Sequence, residues 1–243
     1  MSREAYQDEA IILRVTNWQT ADKYAVCFSR AHGKIAFVAY GAAYPRSSGR
    51  LVQSFAQLAL TLTPGRKAET LRSCESLAMP VTMDIETLAY GAVIAEVTEN
   101  LTSEGEAQEE IYQLLLETLP LLQVRNKRLV TASVLLKLVT MSGFAPQLDS
   151  CTSCQKSAAA DGYFSMVQGG FLCAECAQGD EQACSLETKE LMENLQALDF
   201  TQPPNFTVRG AALMELEQIL YKFILYQTDK PLKSLNFLTQ IQK

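Results

Sequence analysis

Histidine is almost absent from this chain: His32 stands alone among 243 residues. Proton-transfer catalysis uses histidine more often than any other side chain, and the motifs that organise catalysis are missing with it. There is no HExxH, no GxSxG, no phosphate-binding loop ending in Lys-Ser/Thr, and no GxGxxG after a strand. The HxE that accompanies PCxxC in zinc deaminases is missing too. His32 lies in Ala31-His32-Gly33, a turn between two strand-like runs, and reads as a backbone-bonded loop residue. Acidic pairs such as Glu109–Glu110 stand at helical, solvent-facing positions and read as exposed charge. These absences argue against an enzyme.

Long apolar runs are missing as well. No stretch approaches the roughly 18 consecutive apolar residues of a membrane span. The N-terminal MSREAYQDEA mixes charges where a secretory signal is basic and then apolar. The expectation is a cytoplasmic protein with no membrane partner. Lys and Arg are absent between Ser73 and Val124. The net charge is −6, yet residues 1–80 carry ten Lys/Arg against six Asp/Glu, and residues 81–243 carry eleven against twenty-one. An asymmetry of that kind predicts separate partners for separate parts.

What is present is cysteine in a pattern. Cys151-Thr-Ser-Cys154 is followed, after eighteen residues, by Cys173-Ala-Glu-Cys176. Two CxxC knuckles at this separation fit a structural zinc site. Four thiolates complete a tetrahedron and leave no open position for water or substrate, so the feature points to a scaffold. Two disulfides or four unrelated thiols are the alternatives, and a reducing cytosol disfavours the disulfides. Cys27 and Cys74 lie in apolar alternating runs and read as small buried residues; Cys184 reads as a non-ligand, because the first four complete the set.

Residues 1–80 alternate with period two. Ile11, Leu13 and Val15 alternate with Ala10, Ile12 and Arg14; Tyr24, Val26 and Phe28 alternate with Ala25, Cys27 and Ser29. Further strands are predicted over 35–40, around Leu58, Leu60 and Leu62, and over 70–77. Five short strands suit a closed barrel of the OB type. After Pro80 the period becomes helical. Helices are predicted from Asp84 as N-cap to about Leu101, from Glu106 to Leu119 before Pro120, and from Asn126 to about Gly143. The last is apolar nearly all round and should be central. Ser185 caps a fourth helix to about Leu198, and Leu213, Leu216, Leu220 and Phe223 mark a fifth that ends before Pro231.

The resulting fold class is α+β and multidomain. An N-terminal five-stranded OB-fold barrel covers 1–80. An α-helical C-terminal domain, 81–149 and 178–243, carries a four-cysteine zinc finger inserted at 150–177. At about 27 residues the insert is too small to bury a core without its metal.

The barrel carries Arg14, Lys23, Arg30, Lys34, Arg46, Arg50, Arg66, Lys67 and Arg72, interleaved with Tyr24, Phe28, Phe37, Tyr40 and Tyr44. Cations along a groove neutralise phosphates, and aromatic rings stack on any base. Phe28 and Phe37 read as barrel interior; Tyr44, in the polar Pro-Arg-Ser loop, is the stacking candidate. The third helix carries Lys127, Arg128 and Lys137 beside large apolar residues. Such a groove suits an acidic peptide ending in a hydrophobic residue, with Arg128 clamping its carboxylate through two parallel hydrogen bonds. Pairing of these cations with the acidic helices before residue 120 is the competing account.

The order of these parts resembles the recombination mediator family RecO. Its members open on an apolar strand ending in Leu-Arg, here Ala10-Ile-Ile-Leu-Arg14, followed by a strand, here Lys23 to Arg30, and a His-Gly-Lys turn, here Ala31-His32-Gly33-Lys34. Gly41-Ala-Ala-Tyr44-Pro45-Arg46, Ser142-Gly143-Phe144-Ala145-Pro146, the knuckle pair and Lys230-Pro231-Leu232-Lys233-Ser234 follow in the family's order. The resemblance covers nearly the whole chain. It implies a non-enzymatic DNA-repair protein, nucleoid-associated within the cytoplasm, that binds single- and double-stranded DNA and anneals complementary strands. It also implies binding to RecR, help in loading the RecA recombinase, and binding of the acidic C-terminal tail of single-stranded-DNA-binding protein. The implied DNA contacts fall on Arg14, Lys34, Tyr44, Arg46, Arg50, Arg66, Lys67 and Arg72, the tail contacts on Lys127, Arg128 and Lys137, and the zinc ligands on the four knuckle cysteines. Where the family's Gly-Ala loop is densely basic, this chain has Ala43-Tyr44 and Ser47-Ser48, so DNA binding would lean more on Arg66, Lys67 and Arg72. The alternative is a zinc-ribbon interaction module of the transcription or translation machinery, without annealing activity.

Overall fold

The computed structural model describes residues 4–80, 83–202 and 205–241. The first three residues of the N-terminal stretch, and Val81 and Thr82 at the expected barrel–helix boundary, lie outside the described residues. Five strands form the N-terminal part: β1 (Tyr6–Trp18), β2 (Asp22–Ser29), β3 (Gly33–Ala39), β4 (Gln57–Thr63) and β5 (Glu69–Ala78). They close into a barrel in the order β1-β2-β3-β5-β4, the expected OB arrangement.

β1 closes the barrel because it is long enough to serve two neighbours. Its first half, Tyr6 to Ile11, pairs with β4, and Ala10 to Trp18 pair with β2. Strict alternation would turn Arg14 into the barrel beside Ala10 and Ile12. Instead the register against β2 slips between Ile12 and Arg14. A bulge of this kind sets two successive residues on one face. Leu13 and Arg14 both face outward, and Val15 returns to the interior against Ala25. The interior is filled by Ala10, Ile12, Cys27, Phe37, Leu58, Leu60, Leu62 and Cys74.

Phe28 corrects an expectation. It is fully buried, but on the outer face, in the same core as Ile11, Leu13, Val26 and the helical residues Val93, Ile94 and Val97. The barrel is thus apolar on both sides of β1 and β2, and a helix must cover the outer one. That helix is α1 (Ile85–Leu101). Asp84 caps it, its carboxylate accepting from the Thr87 amide at 2.6 Å, as the sequence predicts. The Cβ-less Gly91 lets α1 approach Phe55: a methyl group there would stand 2.9 Å from the ring.

The bundle continues with α2 (Glu109–Thr118) and α3 (Lys127–Met141), then α4 (Leu186–Gln196), α5 (Gly210–Thr228) and α6 (Lys233–Ile241). α3 is central, with Val130, Val134, Leu135, Leu136, Leu138 and Val139 all buried. α2 begins later than periodicity predicts, because the preceding residues serve the barrel. Glu104 bridges Gly33 at the start of β3, and the Gly105 amide donates to the Lys34 carbonyl at 3.2 Å. Sequence reading missed α6. Its first amides, Lys233 and Ser234, donate to the two carboxylate oxygens of Glu96 on α1 at 3.0 and 2.8 Å, so its N-terminal cap comes from 137 residues away.

Between α3 and α4 lies a small sheet of β6 (Gly162–Ser165), β7 (Gly170–Leu172) and β8 (Gln182–Cys184), in the order β7-β6-β8. Its third strand lies beyond residue 177, and the lobe is not independently packed. Phe164, Phe171 and Cys184 belong to the helical core, and Phe164 meets Phe223 of α5 edge-on at 5.4 Å. The insert thus borrows apolar support from the helical domain and has no separate core of its own.

The two parts approach closely at Gly33. It is left-handed, with φ +64°, and a Cβ there would lie 1.9 Å from the Glu106 carbonyl oxygen. Gly33→Ala therefore combines backbone strain with a backbone collision. A loss of at least about 2 kcal/mol is expected, read as a lowered denaturation midpoint with the unfolding slope unchanged; a wild-type midpoint would contradict this account.

Candidate metal centre and nucleic-acid interface

The two knuckles come together through β7. The Thr152 amide donates to the Phe171 carbonyl at 2.8 Å, which fixes the first knuckle against the strand that leads into Cys173. Gly170 permits this approach, since a Cβ there would stand 2.5 Å from the Gln147 oxygen and 2.7 Å from the Thr152 methyl. Each knuckle closes on its own backbone. The Gln155 amide donates to the Cys151 carbonyl at 2.9 Å, with Gln155 left-handed at φ 62°, and the Cys176 amide donates to the Cys173 carbonyl at 3.0 Å.

The Sγ atoms of Cys151, Cys154, Cys173 and Cys176 all lie within 4.8 Å of one another, and Cys154 and Cys173 are 3.7 Å apart. A tetrahedral ion with metal–sulfur bonds of about 2.3 Å holds its sulfurs about 3.8 Å apart, so the four thiols fit one. Their protons are unevenly held. Burial opposes ionisation of Cys151, but hydrogen bonds from the Cys154, Cys173 and Ser153 backbone outweigh it and bring its pKa down to about 6. Cys176 is pushed up to about 12, first by its hydrogen bonds with Cys154 and Cys173. Four adjacent thiolates repel unless a cation sits among them. Cys27, Cys74 and Cys184 are buried away from the cluster, as the sequence predicts.

The expected nucleic-acid contacts divide into two groups. Arg14 and Lys34 lie at the barrel–helix junction. The Arg14 guanidinium donates to both Glu99 oxygens, at 3.1 and 2.9 Å, and this bonding raises its pKa. The Lys34 ammonium caps the end of α1, donating to the Glu99 carbonyl at 2.6 Å and to the Thr102 carbonyl; burial lowers its pKa. The bulge turns Arg14 toward α1 on the outer face of the barrel, and the close crossing at Gly33 brings Lys34 to the end of the same helix, so both cations bridge barrel and helices. Arg30 behaves alike, reaching Glu109 at the start of α2. Tyr44, Arg46, Arg50, Arg66, Lys67 and Arg72 are exposed on loops or the barrel surface. Arg50 donates to the Pro45 carbonyl and Arg72 to Thr63. Arg46, Arg50, Ser47 and Ser48 line an open groove of about 460 Å³. His32 bonds through Nδ1 to the buried Asp8 at 2.7 Å, as a loop residue.

The three α3 cations expected to receive a peptide tail are each engaged within the chain. Arg128 already makes two parallel hydrogen bonds, to the Glu217 oxygens of α5 at 3.0 and 2.6 Å. Lys127 pairs with Glu86 at 3.3 Å and Asp84 at 3.8 Å. Lys137 donates to the Gln196 carbonyl at 2.8 Å and stands 5.8 Å from the Phe200 ring centre. Sequence reading in turn missed Trp18, half exposed at the end of β1. The outward phase of β1 beyond Val15 could have found it, had the bulge been visible.

Two family models divide the chain where barrel gives way to helices. Recombination protein O N terminal matches residues 1–80, and Recombination protein O C terminal matches residues 83–236. The chain belongs to the recombination protein O family. RecO proteins take part in DNA repair and recombination, and the chain is similar to several along its whole length. The DNA repair protein RecO of Symbiobacterium thermophilum is 32% identical over 247 residues, 98% of each chain. That of Pelotomaculum thermopropionicum is 30% identical over 238 residues, 96% of this chain and 93% of that protein. That of Desulforudis audaxviator is 30% identical over 241 residues, 97% of each. The His-Gly-Lys turn has a physical reason: Gly33 admits the crossing chain and Lys34 caps α1.

The Arg128–Glu217 pair joins α3 to α5, with the carboxylate only 16% exposed. Arg128→Ala and Glu217→Ala should each destabilise, and their double-mutant cycle should return a coupling of about 1 kcal/mol, measured by chemical denaturation. A coupling of zero would mean that the pair is not held in solution.

Proposed function

We propose that this RecO-family chain is a non-enzymatic recombination mediator. In this reading the barrel binds single- and double-stranded DNA, the protein pairs complementary strands, and with RecR it helps load the RecA recombinase at the nucleoid. The observation that carries the reading is the match of both family models across both halves of one chain. The surface agrees with it. Tyr44, Arg46, Arg50, Arg66, Lys67 and Arg72 remain exposed while other barrel cations are engaged with helices. Phosphate contacts by such residues confer affinity without sequence choice, which suits a protein that must act on any broken strand. One zinc ion on Cys151, Cys154, Cys173 and Cys176 would stiffen the knuckles as a closed structural site; no step of strand pairing passes through it.

Two complementary labelled oligonucleotides, each coated with the cognate single-stranded-DNA-binding protein, test the reading. The protein should bring them together faster than the coated strands pair alone. If roughly five phosphates are contacted, affinity falls with salt at a log–log slope of about −3.5 to −4.5, and removing Arg46 with Arg50 flattens it by about 1.4–1.8. Salt-independent binding, or strands that pair no faster, would count against the proposal. Elemental analysis should find one zinc per chain, lost in Cys173→Ser and kept in Cys184→Ser. Metal-free protein from a chelator-free, reducing purification would refute the zinc assignment.

A further inference from the structure

The outer face of the β1–β2 ribbon is covered by helices only over part of its length. Following the pairing, successive outward rows are Ile11–Phe28–Lys34, Arg14–Val26–Ala36, Thr16–Tyr24–Val38, and Trp18 opposite Asp22. Ile11, Val26 and Phe28 are buried against the helical domain, and Glu99 of α1 closes over the second row through Arg14. Beyond it the face is open. Trp18 is 50% exposed and Tyr40, next along from Val38, is 63% exposed.

Trp18 is held in position rather than loose. Its ring lies 6.1 Å from that of Tyr24, tilted by 39°, and Tyr24 packs in turn on the helical core. The basic loop is bound to the same end of the barrel. The Ala43 amide donates to the Ala21 carbonyl at 2.9 Å, and the Gly41 amide to the Asp22 carboxylate at 2.8 Å. That bond also engages the nearest carboxylate to Trp18 along the strand pair. Gly41, at φ +64°, brings Tyr44 back against its own backbone, and Tyr44 is 64% exposed. Three exposed aromatics and the exposed Arg46 and Arg50 thus share one end of the barrel. A large ring left half in water, braced from behind and next to cations, suits a flat apolar ligand joined to anions. An unpaired nucleic-acid base on its phosphate backbone has that chemistry, whereas a paired base keeps its faces inside the stack.

We propose that Trp18, braced by Tyr24 and flanked by Tyr40, is a stacking shelf for unpaired bases, and that it is the group by which the barrel prefers single strands to duplex. The proposal rests on the DNA-binding reading above. Phosphate contacts from Arg46 and Arg50 serve both forms of DNA, and only the unpaired form can add a base to the shelf.

The test uses the full chain, in which Trp18 is the single tryptophan and so the native fluorophore. Titration with a labelled oligothymidylate should quench Trp18 emission in step with the rise in label anisotropy. A blunt duplex should raise anisotropy with little quenching. Trp18→Ala should weaken oligothymidylate binding by roughly ten-fold and leave duplex binding unchanged, and Trp18→Phe should restore most of the loss. Oligothymidylate binding that leaves Trp18 emission unaltered, or equal losses for single strand and duplex in a folded Trp18→Ala, would overturn the shelf while DNA binding stands. Absence of DNA binding by the wild type would overturn both. Should Trp18→Ala fail to fold, the wild-type quenching difference between strand and duplex decides the question alone.

Discussion

Everything else in this molecule depends on covering the outer face of one β-ribbon. A closed barrel normally needs only its interior filled, and here Ile12, Phe37, Leu58, Leu60 and Leu62 fill it. But Ile11, Leu13, Val26 and Phe28 make the outside of β1 and β2 apolar as well. Burying an aliphatic or aromatic side chain contributes about 1.5–3 kcal/mol, so four of them amount to about 6–12 kcal/mol, the size of a domain's whole stability. The barrel and α1 are therefore not two modules on a linker. Each supplies the surface the other must bury, and α1 in turn is enclosed by α3, α5 and α6.

Charge follows from that packing. The basic excess of the first 80 residues and the acidic excess of the rest read from sequence as surfaces for separate partners. Part of that asymmetry is satisfied internally. Arg14 holds Glu99, Arg30 holds Glu109, and the Lys34 ammonium closes the C-terminal end of α1. Cations within reach of the helices are drawn into the junction, and cations on loops beyond that reach stay in water. The packing thus separates cations that pair with the helical domain from cations that stay exposed on the barrel. The same boundary leaves Trp18 uncovered, since the closure of α1 over Arg14 ends one row before Tyr24.

The cysteine lobe repeats the theme on a smaller scale. Its knuckles bring four sulfurs to the spacing of a metal tetrahedron, yet its sheet also rests on α5 through Phe164 and Phe223. The lobe gathers its thiols at its tip and is anchored by aromatic packing at its base.

Local patterns were legible in the sequence because their causes are local. Period two marked the five strands, Asp84, Asn126 and Ser185 marked three helix starts with their own side chains, and the CxxC spacing marked the thiol cluster. The family resemblance was likewise carried by short motifs and the order in which they stand. What the sequence could not settle involved partners far along the chain. The bulge at Leu13–Arg14 breaks the alternation that a periodic reading assumes, because β1 must satisfy β4 with one half and β2 with the other. It decides that Arg14 pairs with Glu99 of a helix. α6 escaped notice because its cap is Glu96, and Arg128 looked free because its carboxylate partner, Glu217, lies 89 residues away. Residue type and spacing determined which groups could form a metal site or meet a phosphate. Only the tertiary structure decided which were left exposed, because a side chain's partner is set by what packs against it in space.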